Sequence, residues 1–275
     1  MKADYYWRIV RAGCVAVVVM IAVFPLVWMV RTSVAGADSV ILDGLSPIPS
    51  SFDLGNFERA WMLAGLGTAM FNGAVVCIAI LAIQLLTCVP AAYAFAKLRF
   101  RGRDAVFMVV VACLLIPTQA TALPLFLGIS AVGLSDTLVA LIIPFASSAF
   151  GLFLLRQHMS TIPDVLLEAA RVDGLRTPSI LWRVVVPASG PAIATFAVLS
   201  IFVHWNDYLW PLMVARDPAL RTPPLALAVF QQAEIGLDFG ALAAGAVIIT
   251  APIVVLFLIA QRRFVAGIAG GEIPG

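Results

Sequence analysis

Six stretches of this chain run for about twenty residues, or nearly so, without one charged side chain: roughly 12–30, 71–96, 105–127, 137–155, 188–203 (continuing, past the single Asp207, to about 215) and 239–260. A helix of ~20 apolar residues crosses the ~30 Å hydrocarbon core of a bilayer, so each stretch predicts a transmembrane helix. The runs of Ala, Val, Leu and Ile are continuous, whereas the strands of a membrane barrel alternate in short segments. Composition closes the other routes. Hydrophobic residues make up 62% of the chain and charged ones 12%, with a mean hydropathy of +1.04. Soluble domains carry about a quarter charged residues, and in water so few charges would leave large apolar patches bare. Disorder requires the opposite composition. A net charge of +2 leaves no electrostatic footprint for nucleic acid. The expected fold class is all-α: a polytopic membrane protein with six transmembrane helices, in a single domain over 1–275.

Arg8 and Arg11 precede the first apolar run, as in a secretory signal, but at 19 residues (12–30) it is long for a signal core. A retained span is therefore expected. Lys and Arg resist translocation and therefore set orientation. With the N-terminus inside, inner segments hold 13 of the 17 basic residues and outer segments hold 4, namely Arg31, Arg59, Arg216 and Arg221. Both termini are expected in the cytoplasm. Cys14, Cys77, Cys88 and Cys113 all fall in predicted spans and read as small packing residues rather than a disulfide or metal set. Outside the spans, an outer segment (31–67, with Pro47, Pro49 and a Ser-rich turn) and an inner loop (156–187) are long enough to have structure of their own.

The inner loop carries a pattern. Thr161 followed three residues later by Asp164, with Pro163 in the first turn, predicts a helix start. Val165, Leu166, Ala169, Ala170 and Val172 recur at helical spacing and leave Asp164, Glu168 and Arg171 on the other side. Gly174 suits the left-handed residue that stops a helix. Thr177, with Pro178 behind it, predicts the cap of a second short helix, and Pro187 marks a bend into the fifth span. The result is a helix–turn–helix on the inner membrane surface, with a small Ala169–Ala170 face open to close approach by another protein.

Glu168-Ala169-Ala170, then Gly174, then Val186-Pro187 resembles the EAA signature of permease subunits in ABC importers. Asp173-Gly174, Trp205-Asn206-Asp207-Tyr208, Pro117-Thr118-Gln119 and Gln261-Arg262-Arg263 resemble the carbohydrate-uptake, maltose-type branch. The chain is most similar to the smaller of its two unlike permeases. The family more often has Leu-Pro where Val186-Pro187 stands, and a basic ending where this chain has Gly271-Glu272-Ile273-Pro274-Gly275. The resemblance implies a type I importer permease fold, with residues 156–187 as the cytoplasmic coupling loop. Glu168, Ala169, Ala170, Asp173, Gly174 and Pro187 would form the element docked on an ATPase, with Glu168 paired to one of its basic residues. The implied partners are a second, unlike permease in a heterodimer, a dimer of ABC ATPases, an extracytoplasmic solute-binding protein, membrane lipid and a small sugar or sugar derivative. Glycerol 3-phosphate or a related ester is the alternative substrate. No cofactor is expected in this chain, since ATP and magnesium would sit on the ATPase.

Counted ~1.5 Å per residue from Pro187, the His204–Pro211 segment lies ~25 Å higher, near the outer boundary of the hydrocarbon. Trp205 and Trp210 then read as an interfacial aromatic belt, with Trp205 also a candidate pathway or gate residue. Asn206 and Asp207, with Tyr208, read as lining a water-filled passage or outer gate, because polar groups in spans face the bundle interior. Gln119 is a second pathway candidate or, equally, a helix–helix hydrogen bond. Enzymatic readings lack their residues. The only lysines, Lys2 and Lys97, do not follow a glycine, so no phosphate-binding loop exists. Two histidines, His158 and His204, cannot make H-E-x-x-H, and no G-x-S-x-G occurs. The rival is an ion-gradient-driven secondary transporter or a channel subunit. The former generally carries mid-span ionisable residues, and no Asp, Glu, Lys or Arg lies well inside a predicted span.

Overall fold

The computed structural model describes residues 2–44, 46–231 and 238–269, with side chains 2–6, 9, 231 and 260–269 left aside. Its elements are helical: α1 (Lys2–Ser33), α2 (Ala37–Leu42), α3 (Gly55–Leu63), α4 (Leu66–Lys97), α5 (Arg103–Cys113), α6 (Thr118–Ala131), α7 (Leu138–Ile142), α8 (Ala149–Ser160), α9 (Asp164–Val172), α10 (Thr177–Ile180), α11 (Val186–Ala188), α12 (Gly190–Trp205), α13 (Leu209–Val214), α14 (Pro223–Ala226) and α15 (Phe239–Ala269). Among the described residues the only extended pairing is an isolated Ala35–Phe52 bridge. Among the described residues three helical segments are singly long and apolar enough to cross a membrane: Val10–Ser33, Leu66–Lys97 and Phe239–Ile259. Three bent pairs supply the rest, giving up to six spans.

Two of these spans are bent within their length. The third is broken between α5 and α6 by 97°, where Pro117 is extended, and the fourth by 42° between Leu138–Phe145 and Ala149–Ser160. A break within an apolar layer frees carbonyls that lipid cannot satisfy. At the break in the fourth span neighbouring side chains satisfy them. Gln84 Nε2 donates to Phe145 O at 3.0 Å and Thr87 Oγ1 to Ala146 O at 2.9 Å. Cys88 receives the Ser148 N–H at 3.4 Å, so it acts as a polar partner as well as a small packing residue. Cys77 is buried too, while Cys14 and Cys113 are exposed, and all four are free thiols.

The chain divides into two compact units, Met1–Gly67 with Ala226–Pro252, and Thr68–Leu225 with Ile253–Gly275. In the first, the apolar stretch of α1 has none of its residues buried within the chain, a surface that suits lipid or another helix and not water. The segment after α1 is ordered by polar contacts. Arg31 is buried, donating Nε to Ser46 O at 3.2 Å and Nη2 to Asp43 Oδ2 at 2.9 Å. Asp43 also receives Ser39 Oγ, the Ser50 N–H at 2.8 Å and Ser50 Oγ at 2.7 Å. Asn56 donates to Ser33 O and Ala35 O at 3.0 and 2.9 Å. In the second unit, one apolar cluster joins Phe95, Phe107, Leu155, Leu167, Ile180 and Phe196, and another joins Ile80, Ile129, Leu141, Trp210 and Val214.

Two outcomes test this packing. A Cβ on Gly151 would overlap the ring of Phe196, which is itself buried. Gly151→Ala should therefore cost ~1–3 kcal/mol, read as a lowered midpoint in thermal unfolding of the detergent-solubilised chain. The Ser39 and Ser50 hydrogen bonds, with a smaller share from Arg31, hold the Asp43 carboxyl down at about 2 against an ordinary 3.8. A depressed carboxyl stabilises the fold fully above its unfolded value and loses that contribution as pH falls through its folded one. Protection of the Ser50 amide should stay level down to about pH 4 and fall between about pH 4 and 2.

Candidate functional site

α8 ends at Ser160, and Thr161 closes it, donating Oγ1 to His158 O at 2.8 Å. Thr161 is thus a C-terminal cap and not the expected start of the next helix. α9 begins instead from extended Pro163, and α10 from Arg176 rather than Thr177; neither has a side-chain cap. α9 stops as its glycine predicts. Gly174 has φ +80°, its N–H reaches Arg171 O, and the Leu175 N–H reaches Ala170 O, each at 3.0 Å. That double bond pattern is a Schellman ending. Beyond it a π turn (Leu181–Val185) and α11 carry Pro187, and the chain then turns 78° into α12.

The faces of α9 differ from the sequence expectation. Leu167 and Ala170 are the buried residues, joined to the cluster of Phe95, Phe107 and Phe196. Val165, Leu166 and Val172 are 71%, 49% and 88% exposed, and Glu168 and Ala169 are also exposed. The two alanines therefore separate, Ala169 outward and Ala170 inward against its own chain. A helix with apolar residues on nearly every side offers two faces, and the one with Leu167 wins because it reaches the aromatic cluster. Burying a Leu from water contributes ~1.5–3 kcal/mol.

A residue without an assigned role in the sequence pattern holds the loop. Lys97, the last residue of α4, has a side chain only 6% exposed. Its Nζ donates to Ile162 O at 2.5 Å, Asp164 Oδ1 at 2.7 Å and Ser160 O at 3.5 Å. The hydrogen bond from Lys97, then its charge, lowers the Asp164 carboxyl below its ordinary value. The available signal was rarity: Lys97 is one of two lysines and sits where a span ends. Lys97, Arg99, Asp164, Leu167, Glu168 and Arg171 line a groove of about 410 Å³, so the exposed Glu168 shares it with three cations. Arg156 lies over the Phe107 ring, 3.9 Å from its centroid.

At the far end of the fifth span, α12 stops because Asn206 folds back. Asn206 Nδ2 donates to Phe202 O at 2.8 Å, and its backbone N–H donates to the same oxygen at 3.3 Å. Asp207 Oδ1 accepts the Trp210 N–H at 3.2 Å and so starts α13. Trp205 and Trp210 are buried, 7% and 4% exposed, which overturns the aromatic-belt reading. The Trp210 indole donates to Ala140 O at 2.9 Å, a bond available only inside the protein. Asn206 and Tyr208 are exposed and Asp207 half-buried. Gln119 is elsewhere, exposed in the first turn of α6 with Thr118 Oγ1 at 3.4 Å. One buried network lay outside the motifs. Gln84 accepts Ser200 Oγ at 2.7 Å and meets His204 Nε2 at 3.3 Å.

Residues 88–270 match the family model for the binding-protein-dependent transport system inner membrane component. The chain belongs to this family. It is 34% identical over 263 residues to the arabinooligosaccharides transport system permease protein AraQ of Halalkalibacterium halodurans, covering 94% of each chain. It is 32% identical to the trehalose transport system permease protein SugB of Mycobacterium tuberculosis, covering 98% of this chain and 97% of that one. The fold matches a chain from the crystal structure of a bacterial ABC transporter involved in the import of the acidic polysaccharide alginate, with a TM-score of 0.85 at 24% identity over 96% and 98% of the two chains. The expected permease fold is therefore present, and the ABC permease is a membrane transport subunit rather than an enzyme.

In this permease, Glu168, Ala169, Ala170, Asp173 and Gly174 fall on α9 and its stop, and Pro187 on the bend. The Gln261-Arg262-Arg263 side chains and the Gly271–Gly275 ending lie outside the described residues. Lys97→Met tests the clamp. It strips charge-assisted hydrogen bonds worth ~1.5–3 kcal/mol each from a loop whose own sequence is intact. Faster hydrogen exchange should appear at residues 160–166, with α12 unaffected.

Proposed function

We propose that this chain is one of two unlike permease subunits of an ATP-driven importer of a sugar or sugar derivative. The observation that carries this reading is the two-sided α9: Leu167 and Ala170 are buried in the core, and Val165, Leu166, Glu168, Ala169 and Val172 are turned outward. An apolar face with one acid beside it, on a helix fixed to several spans, is what a force-transmitting contact with another protein needs. The two relatives support the substrate class, being permeases for arabinooligosaccharides and trehalose.

The loop and both termini face the cytoplasm, in keeping with the 13 to 4 division of basic residues. Two ATPase subunits, which bind ATP and magnesium, dock beneath, one of them on α9 with a basic residue against Glu168. ATP binding favours the closed ATPase pair, and the docked helices follow as rigid bodies, turning the cavity from inward- to outward-facing. A solute-binding protein delivers substrate at the outer face. The substrate crosses between the two permeases, with Asn206, Asp207, Tyr208 and Gln119 as this chain's path or gate residues. Trp205 acts beneath them as packing.

Glu168→Lys reverses the charge at the docking face without touching the core. Removing one member of a desolvated interface pair costs ~2–5 kcal/mol. Uptake of labelled sugar into vesicles holding the assembled transporter should be abolished while membrane insertion is retained. Uptake at the unaltered rate would remove the coupling role, and uptake driven by an ion gradient without ATP would remove the importer reading altogether.

A further inference from the structure

Asp136, in the turn between α6 and α7, has φ +57°, a left-handed conformation that few residues other than Gly, Asn and Asp accept. Its N–H donates to Val214 O at 2.9 Å. Its Oδ1 accepts the N–H groups of Arg216 and, at 3.1 Å, Asp217. From the other side Asn72, 7% exposed on α4, donates Nδ2 to Ala219 O at 2.7 Å and Arg221 O at 3.2 Å. Asp217 receives the Ala219 N–H at 2.8 Å and starts a short 3₁₀ turn, Pro218–Leu220. Where the chain returns, Gly73 allows Pro223 so close that a Cβ would lie 2.6 Å from it. Residues 216–219 themselves are exposed. A free surface loop gains nothing from such restraint, which costs conformational entropy, but a recognition loop does, because prior ordering lowers the cost of association.

We propose that Asp136 and Asn72 are positioning residues that hold the exposed turn 216–219, with Arg216, Asp217 and Pro218 at its surface, in the shape the solute-binding protein engages. This rests on the importer reading and specifies which residues make the outer docking site. The test uses the complete transporter in lipid vesicles with its solute-binding protein, measuring ATP hydrolysis against binding-protein concentration. Asp136→Ala and Asn72→Ala should each raise the half-saturating concentration about tenfold, with hydrolysis in the absence of binding protein and the maximal rate unchanged. Asp136→Asn keeps an acceptor oxygen and tolerates the left-handed backbone, so it should restore near-normal half-saturation. An unchanged half-saturation in either alanine variant overturns the proposal, as does a parallel loss of the binding-protein-independent rate, which marks a merely structural role. If the unsubstituted transporter ignores the binding protein at every concentration, the importer reading itself fails.

Discussion

Leu167 and Ala170 sit in the same apolar cluster as Phe95 of α4, Phe107 of α5, Leu155 of α8 and Phe196 of α12, and this burial fixes what the loop can do. Between spans the hydrophobic effect is idle, because lipid tails are as apolar as leucine. At the edge of the membrane, where α9 lies in the proposed topology, water is present and burying Leu167 is favourable. A nine-residue helix too short to persist alone in water is thereby held by side chains from four other helices. Lys97 adds a directional restraint at its start and the Schellman turn one at its end. A push on the outward face of α9 is therefore delivered to several spans together, since a close-packed interior transmits displacement rather than absorbing it.

The broken spans obey a second constraint, that backbone groups in an apolar layer must find partners in the protein. The gap between α7 and α8 is closed from α4 by Gln84, Thr87 and Cys88, and Ala140 is capped from α13 by the Trp210 indole. Gln84 also binds Ser200 of α12. These bonds tie α4, α7, α8, α12 and α13 by direction as well as by contact, which apolar packing in lipid does not do by itself. The breaks thereby become joints with defined partners.

How much of this was legible follows from what each signal encodes. The apolar runs and their charged flanks report on transfer into lipid, so the three long helices and the three bent pairs, up to six spans, were readable, as were the stop at Gly174, which needs φ > 0, and the bend at Pro187. The bends within the third and fourth spans were not, because Pro117 and Ser147-Ser148 interrupt hydropathy too little to reveal a change of direction. α9 shows the limit of periodicity. Six of its nine residues are apolar, so spacing alone permitted the face with Val165, Leu166 and Ala169, and only tertiary contact with the aromatic cluster selects Leu167 and Ala170. Thr161 and Thr177 carry cap chemistry that the backbone uses differently or not at all. Trp205 and Trp210 read as belt residues because composition does not disclose that an indole N–H has an internal carbonyl to bind. The family signature in the loop was legible residue by residue, yet it does not distinguish Ala169, which is outward, from Ala170, which is part of the core.

The two ends of the second unit are secured by different physics, and the difference matches what each end does in the proposed importer. α9 is held mainly by buried apolar surface, which is non-directional, tolerates small rotations and resists separation. The turn 216–219 is held by hydrogen bonds from Asp136 and Asn72, which are directional and fix shape while burying little. A surface that must move with its partner through a cycle is better attached by the first kind, since contact persists as angles change. A surface that must present one outline to a protein that binds and leaves is better attached by the second, since its cost is met before the encounter. In the proposed orientation, the apolar attachment faces the ATPase and the polar one faces the delivering protein, so each end carries the fastening suited to its partner.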